Sequence, residues 1–143
     1  MNPETRRAPR GGAEAEEKLL STLGLCARAR QLVMGTPMIC EAMRASSGDR
    51  PRTGGKSPVL AVVEASDTSS NTHEKLLSKC TYYRVPHYRI SADTQRLAHA
   101  VGKTGAVAAV AVTDENLLRA LARYLPEASR EPQTTANSIN PID

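Results

Sequence analysis

The residues best suited to bind an anion lie where the second predicted helix begins. That helix starts in the segment from Gly35 to Glu41 and has no acidic side chain before Glu41, whereas the other predicted helices have acids near their starts. A helix start presents free N–H groups and partial positive charge, and a phosphate satisfies both. Arg28 and Arg30 come shortly before it. We therefore predict that these two arginines and the helix start form one phosphate site. The alternative is that water and the Thr36 hydroxyl satisfy the N–H groups.

A second candidate lies at the end of a predicted buried strand, where Glu64 is followed by small polar residues. Ligands of open α/β sheets bind beyond the carboxyl ends of the strands. Ser66 and Asp67 occupy that position, and Asp67 has the chemistry to accept a hydrogen bond from the edge of a nucleic-acid base. The alternative is that Asp67 stabilises a turn or caps a helix.

Catalytic chemistry has little support in this sequence. His73, His87 and His99 are far apart along the chain, and we expect them to be isolated from one another. The sequence contains no nucleophile elbow, phosphate-binding loop, zinc-protease motif or dinucleotide motif. The segment Gly102–Gly105 has the residue types of a phosphate loop, but it precedes a predicted strand instead of following one. We therefore expect a protein that is not an enzyme and has no cofactor and no metal.

The composition narrows the class of protein further. A chain of 143 residues favours one domain, and its formal net charge of +4 is compatible with an anionic partner. With no Phe, no Trp and 4 Tyr, it lacks the rows of rings on which many RNA-binding sheets stack bases. The 3 cysteines include no Cys-x-x-Cys pair and fit neither a disulfide scaffold nor a zinc site. No apolar stretch reaches membrane-spanning length, so we expect a cytoplasmic protein with reduced thiols and no membrane contact.

Hydrophobic periodicity and cap signals predict five helices that alternate with four strands. Strands are predicted at Gln31–Met34, Val59–Ala65, Val85–Ile90 and Ala106–Val112. The second and fourth are apolar without alternation, which is typical of central strands covered on both faces. The first helix is predicted from Glu14 to Arg30, the second from its cap at Thr36 to Ala45, and the fourth from its cap at Asp93 to Gly102. The third helix is predicted to begin at a capping box of Asn71 and Glu74, and the fifth at a Thr113 cap.

This order predicts an α/β protein, with a mixed sheet of about four strands between two layers of helices. Hydrophobic periodicity is absent from both ends of the chain. We therefore predict a disordered basic tail at 1–13, a folded domain at 14–125 and a disordered tail at 126–143. The polar segment Ser46–Ser57 is predicted to be a mobile surface loop.

Several short motifs resemble those of the kink-turn RNA-binding ribosomal proteins, the large-subunit types seven-Ae and thirty-e, and within them the bacterial YlxQ-like branch. The resemblance covers about Lys18 to Arg123. Its markers are Leu23-Gly24-Leu25-Cys26-Ala27-Arg28-Ala29, Val33-Met34-Gly35, Ala65-Ser66-Asp67-Thr68-Ser69-Ser70-Asn71-Thr72, Lys79-Cys80, Val85-Pro86, Leu97-Ala98-x-Ala100-Val101-Gly102-Lys103 and Val110-Ala111-Val112-Thr113-Asp114.

The resemblance implies a three-layer α/β/α sandwich and an RNA site built from three segments. These segments are the start of the second helix, the turn after the second strand and the loop before the fourth helix. They map to Gly35, Thr36, Pro37, Met38 and Glu41, to Ser66 and Asp67, and to Ile90 and Ser91. Ribosomal members of the family commonly have Gly-x-Asn-Glu followed by Lys at the first segment. This chain departs from that pattern at Pro37, Met38 and Glu41.

Residues and resemblance together predict a non-catalytic RNA-binding protein that recognises kink-turn or similarly folded RNA by its backbone shape and its phosphates. The expected partners are structured RNA, with ribosomal RNA first, and ribosomal or transcription-associated proteins. The alternative is a protein-interaction module that keeps the fold and has lost RNA binding, which Pro37 and Glu41 would permit.

Overall fold

A computed structural model describes residues 13–45 and 59–129, which form five helices and four strands in the predicted alternating order. The helices are α1 (Ala13–Arg28), α2 (Thr36–Ala45), α3 (Ser70–Tyr83), α4 (Thr94–Ala100) and α5 (Glu115–Ala122). The strands are β1 (Leu32–Met34), β2 (Ala61–Glu64), β3 (His87–Arg89) and β4 (Ala109–Val112). The predicted loop at Ser46–Ser57 and most of both predicted tails lie outside the described residues.

The four strands form one mixed sheet in the order β1-β4-β2-β3. The strand β4 runs antiparallel to both β1 and β2, while β2 and β3 are parallel. The two central strands, β2 and β4, are buried at every residue. The prediction that the two apolar runs form central strands covered on both faces is therefore confirmed.

Two hydrophobic clusters cover the two faces of the sheet, because side chains alternate between the faces along each strand. Val63 and Val110 pack with α1, α4 and α5 on one face. Val62 and Ala111 pack with α2 and α3 on the other. The predicted α/β/α layering follows from this two-sided burial, and the α/β fold class is confirmed.

The cap of α3 differs from the predicted one by two residues and the cap of α5 by one. The cap of α3 is Ser69, whose hydroxyl accepts from the Thr72 N–H at 3.1 Å, so the prediction of an Asn71 cap is wrong. The cap of α5 is Asp114, and Thr113 instead donates to the Gln31 carbonyl. The Asp93 cap of α4 is confirmed. A carboxylate accepts N–H groups more strongly than a hydroxyl does, which explains the preference for Asp114 over Thr113.

The described part of the predicted C-terminal tail, residues 126–129, has no helix or strand. Leu125, immediately before it, is buried in the core. The Ser129 N–H donates to the His87 carbonyl at 2.6 Å. This hydrogen bond joins the segment to the outer strand β3 after the last helix has ended.

Candidate nucleic-acid interface

The carboxyl ends of β1, β2 and β3 meet at one edge of the sheet. In the observed register Met34 pairs with Val110, Glu64 pairs with both Ala109 and Arg89, and β4 begins at this edge. We call it the carboxyl edge, and we call the opposite edge, where β1, β2 and β3 begin and β4 ends, the amino edge. The start of α2, the turn after β2 and the loop after β3 all leave from the carboxyl edge.

The start of α2 is held against the sheet by Gly35. Its N–H donates to the Ala109 carbonyl at 3.1 Å, and its carbonyl accepts the first helical hydrogen bond, from the Ile39 N–H at 2.9 Å. Gly35 adopts a φ of +93°, a conformation that residues with a side chain seldom adopt. Gly35 is therefore the cap residue, and the prediction that Thr36 caps this helix is wrong.

The first turn of α2 carries no acidic residue, as predicted. Pro37 and Met38 are exposed, and the Met38 side chain is among the most exposed large apolar groups of the described residues, at 61%. N–H groups in the first turn of a helix have no acceptor within the helix. This end of α2 therefore offers partial positive charge beside an apolar side chain.

Glu41 lies one turn further along α2, on the exposed side. Its carboxylate accepts from the Arg44 guanidinium at 2.7 and 2.9 Å, and both side chains are well exposed. The negative charge at this position is therefore accompanied by a positive one within the same helix. A surface pair of this kind contributes about 0–1 kcal/mol to stability, so it can be replaced without unfolding the helix.

The turn after β2 connects two of the predicted segments. Asp67 accepts from the Thr94 N–H at 2.8 Å and from the Thr94 hydroxyl at 3.4 Å, and so binds the start of α4. The Ser66 carbonyl accepts from the Arg89 guanidinium at 3.1 Å. The capping role that was the alternative for Asp67 is thus present, although the helix it serves is α4 and not the one that follows it in sequence.

In the third predicted segment the two residues differ in exposure. Ser91 is exposed, whereas the Ile90 side chain is 3% exposed and belongs to the core. The Ile90 N–H donates to the Glu64 carbonyl at 2.9 Å. A ligand at this edge therefore has access to the Ser91 side chain but not to that of Ile90.

Arg28 and Arg30 lie away from these segments. Arg28 ends α1 and Arg30 follows it, both before β1 begins, whereas α2 starts after β1 ends. From Gln31 to Gly35 the extended chain covers about 13 Å. The prediction that the two arginines and the α2 start form a single phosphate site is therefore wrong: the arginines are at the amino edge.

A buried polar cluster lies directly behind the carboxyl edge. Glu64, the last residue of β2, is fully buried, and its Oε1 lies 2.6 Å from His87 Nε2 and 3.0 Å from His73 Nδ1. Thr68 donates its hydroxyl to Oε2 of the same carboxylate. The rings of the two histidines meet edge to face, with centroids 5.7 Å apart. The prediction that the histidines are isolated is wrong for this pair.

The cluster keeps Glu64 ionised. Burial alone raises the pKa of the carboxyl, but hydrogen bonds from His87, Thr68 and His73 outweigh burial and lower its pKa to about 2. An ionised carboxylate only accepts hydrogen bonds, so the two histidine nitrogens that face it carry hydrogens. The Arg89 Nε lies 4.0 Å from Oε2, at the more exposed end of the cluster.

One signal for this cluster was visible in the sequence. A lone carboxylate at the end of the apolar run Val59–Ala65 needs buried partners. The partners themselves could not be named, because His87 reaches Glu64 through the parallel register of β2 and β3, and His73 through one turn of α3.

No helix among the described residues combines the length and the apolar content that a membrane span requires.

Comparison with known proteins identifies relatives along most of the chain. No protein-family model matches the sequence. The RNA-binding protein YlxQ of Bacillus subtilis (strain 168) is 32% identical over 103 residues, which are 72% of this chain and 90% of that protein. A solved structure of a protein of unknown function from Bacillus halodurans C is similar with a TM-score of 0.61 and 34% identity, over 73% of this chain and 93% of that one.

Proposed function

The chain belongs to the family of the RNA-binding protein YlxQ, and on that premise we propose that its carboxyl edge binds a structured RNA of the kink-turn type. In this proposal the protein is not an enzyme, it acts in the cytoplasm, and ribosomal RNA is the partner that we expect before any other. It recognises the RNA through phosphates and backbone shape, because the chain has too few aromatic rings to stack a row of bases.

The observation that carries this proposal is the meeting of three segments at one edge. The start of α2, the turn at Ser66 and Asp67, and the loop at Ser91 are separated in sequence, and strand direction brings them together. The family resemblance implies an RNA site in these same three segments. A ligand that spans them all must be large, which suits a folded RNA better than a small molecule.

The chemistry of the edge also favours a phosphate backbone. The first turn of α2 presents N–H groups and no carboxylate, and the Arg89 side chain, 37% exposed, adds a guanidinium at the same edge. Guanidinium groups and helix starts are common phosphate partners. The Asp67 carboxylate is occupied by Thr94, which leaves the turn after β2 to contribute Ser66 and main-chain groups.

The departure from the ribosomal pattern alters how bases would be read. Ribosomal relatives have Asn, Glu and Lys where this helix has Pro37, Met38 and Glu41. In this chain the exposed Met38 side chain offers an apolar contact to a base or sugar in place of a hydrogen bond. We therefore propose that shape and phosphate contacts carry more of the affinity here than base-edge hydrogen bonds do.

A titration with two RNAs tests this function. The full-length protein is titrated against a kink-turn RNA and against a matched RNA lacking the G·A pairs, at two salt concentrations. We expect tighter binding to the kink-turn RNA, and weaker binding to both RNAs as salt rises. Equal affinity for the two RNAs would contradict kink-turn recognition. Absence of binding to both would favour a protein-interaction module instead.

A further inference from the structure

We propose that Glu64, His73 and His87 form a binding site for one divalent metal ion of the zinc class. The ligand atoms of these three side chains all lie within 4.8 Å of one another. Imidazole nitrogen and carboxylate oxygen are ligands that zinc accepts, and two histidines with one glutamate form a known type of zinc site. The site is independent of the proposed RNA binding, since it lies behind the carboxyl edge in the α2 and α3 layer.

The spacing between Glu64 and His73 is close to that of neighbouring ligands in a tetrahedral site. With metal–ligand distances of about 2.0–2.1 Å, neighbouring ligand atoms of a tetrahedral zinc are roughly 3.3 Å apart. His73 Nδ1 lies 3.0 and 3.2 Å from the two Glu64 oxygens. The His87 Nε2 lies 2.6 Å from Oε1, so binding requires this pair to open by several tenths of an ångström.

The charge of the cluster also favours a cation. Glu64 has no solvent exposure, and a buried carboxylate is costly unless a positive charge lies nearby. The Arg89 Nε, at 4.0 Å, is the guanidinium atom that faces it, and that side chain is 37% exposed. A divalent ion at the centre of the cluster would neutralise the carboxylate at much shorter range.

Metal binding replaces the two ring hydrogens that now point at Glu64. The hydrogen of each neutral imidazole moves to the ring's other nitrogen. For His87 that nitrogen is Nδ1, which is buried and has no hydrogen-bond partner among the described residues, so the metal–ligand bonds must outweigh the cost of one unpaired buried N–H. His73 is the more accessible ligand, since its side chain is 25% exposed, and the ion can enter from that side. A water molecule would complete the coordination, as in other zinc sites with three protein ligands.

The bound ion would have a structural role. It would join the end of β2, the body of α3 and the start of β3, which together carry the turn at Ser66 and Asp67. Because a metal that binds only the folded state stabilises that state, zinc should raise the melting temperature of the protein.

The test uses the full-length protein with Cys40 replaced by Ser, so that the partly exposed thiol does not bind zinc. The protein is freed of metal with a chelator and titrated with Zn²⁺ alone, and the affinity, stoichiometry and melting temperature are measured. We expect one zinc per chain and a raised melting temperature. His73→Ala should weaken binding by at least about tenfold and abolish the shift in melting temperature.

The matched control is His99→Ala, which removes an exposed histidine of α4 outside the cluster and should leave the zinc affinity unchanged. Glu64→Gln should also lose binding, and if that variant does not fold, His73→Ala carries the comparison. Failure of the parent protein to bind zinc in a saturable manner would overturn the proposal. Equal affinity in His73→Ala and the parent would overturn it as well. Neither result would bear on RNA binding, which is measured separately.

Discussion

Single cysteine residues differ in reactivity because their surroundings differ. Burial raises the pKa of the Cys80 thiol to about 12. Burial, with a smaller contribution from the Asp114 carboxylate, raises the pKa of Cys26 to about 11. At pH 8 both of these thiols are therefore almost entirely protonated. Cys40 is partly exposed on α2.

We therefore predict that a thiol-alkylating reagent modifies Cys40 first in the native protein at pH 8. The thiolate is the reactive form, and both Cys26 and Cys80 are also shielded by the core. Peptide mass spectrometry over a time course measures the order. In denaturant all three thiols should react at similar rates, which is the control. Equal rates in the native protein would show that the helices open far more often than this packing allows.

Residue-scale detail was the least predictable part of the molecule. The predictions missed the caps at Ser69 and Asp114 by two residues and by one. Several neighbouring polar side chains can accept hydrogen bonds from the same N–H groups, so the sequence does not single out one of them. The Glu64 cluster was not predicted at all. Its three members come from β2, α3 and β3, and they are brought together by the register of β2 and β3 and by the first turn of α3.

At the scale of helices, the contact between α1 and α4 depends on Gly24. A Cβ atom at this position would lie 2.8 Å from the Ala100 carbonyl oxygen, which belongs to the backbone and cannot swing aside. In an exposed helix, Gly→Ala is stabilising by about 1 kcal/mol. Here the clash should reverse the sign.

We predict that Gly24→Ala lowers the free energy of unfolding by about 1–2 kcal/mol, since overpacking outweighs the gain in helix propensity. Urea denaturation of the purified protein measures this change. The control is Ser21→Ala, at an exposed position of the same helix, for which we expect a change within about 0.5 kcal/mol. A stabilised Gly24→Ala variant would show that α1 and α4 can move apart.

On α2, reversing the charge of Glu41 tests whether the RNA lies near this helix. Glu41→Lys replaces the partner of Arg44 by a second cation at the carboxyl edge. Removing a repulsive carboxylate near phosphates is worth about 1 kcal/mol or more, which is roughly fivefold in Kd. We therefore predict tighter binding of the kink-turn RNA, with a gain that shrinks as salt rises.

The control for Glu41→Lys is Glu115→Lys, which makes the same charge change on α5, at the amino edge. Gel-shift titration of both variants compares the two edges. A gain of the same size in Glu115→Lys would mean that net charge, and not position on α2, sets the affinity. An unchanged affinity in Glu41→Lys would place the RNA away from this helix.

At the scale of elements the sequence was more informative. The two apolar runs, the helical periodicity and the cap signals predicted the order of helices and strands, because burial on both faces leaves a distinctive apolar pattern. The placement of Arg28 and Arg30 was misjudged for a topological reason. The short strand β1 carries the chain from one edge of the sheet to the other, so closeness in sequence does not mean closeness in space.

At the scale of the whole molecule, we predict that arginine substitutions at the two edges of the sheet have different effects on the salt dependence of RNA binding. Arg89→Ala removes a guanidinium at the carboxyl edge and should lower the magnitude of the log K against log salt slope by roughly 0.7 to 0.9. The double variant Arg28→Ala, Arg30→Ala removes two at the amino edge and should leave the slope unchanged. A slope altered only in the double variant would assign the phosphate contacts to the amino edge.

The RNA interface is tested with one added carboxylate on each of the two helical layers. Met38, 61% exposed in the first turn of α2, and Leu25, 54% exposed near the end of α1, are large apolar side chains on helices that cover opposite faces of the sheet. Glutamate at either position adds one negative charge, and neither change removes a buried group. Circular dichroism and thermal melting check that both variants remain folded.

Gel-shift titration then measures Kd for the kink-turn RNA in the parent protein, Met38→Glu and Leu25→Glu. If the carboxyl edge is the RNA interface, Met38→Glu weakens binding by about tenfold or more, since a charge near phosphate costs on the order of one to a few kcal/mol, while Leu25→Glu changes Kd by less than about twofold. Unchanged binding in Met38→Glu, or an equal loss in Leu25→Glu, would contradict an RNA interface at the carboxyl edge.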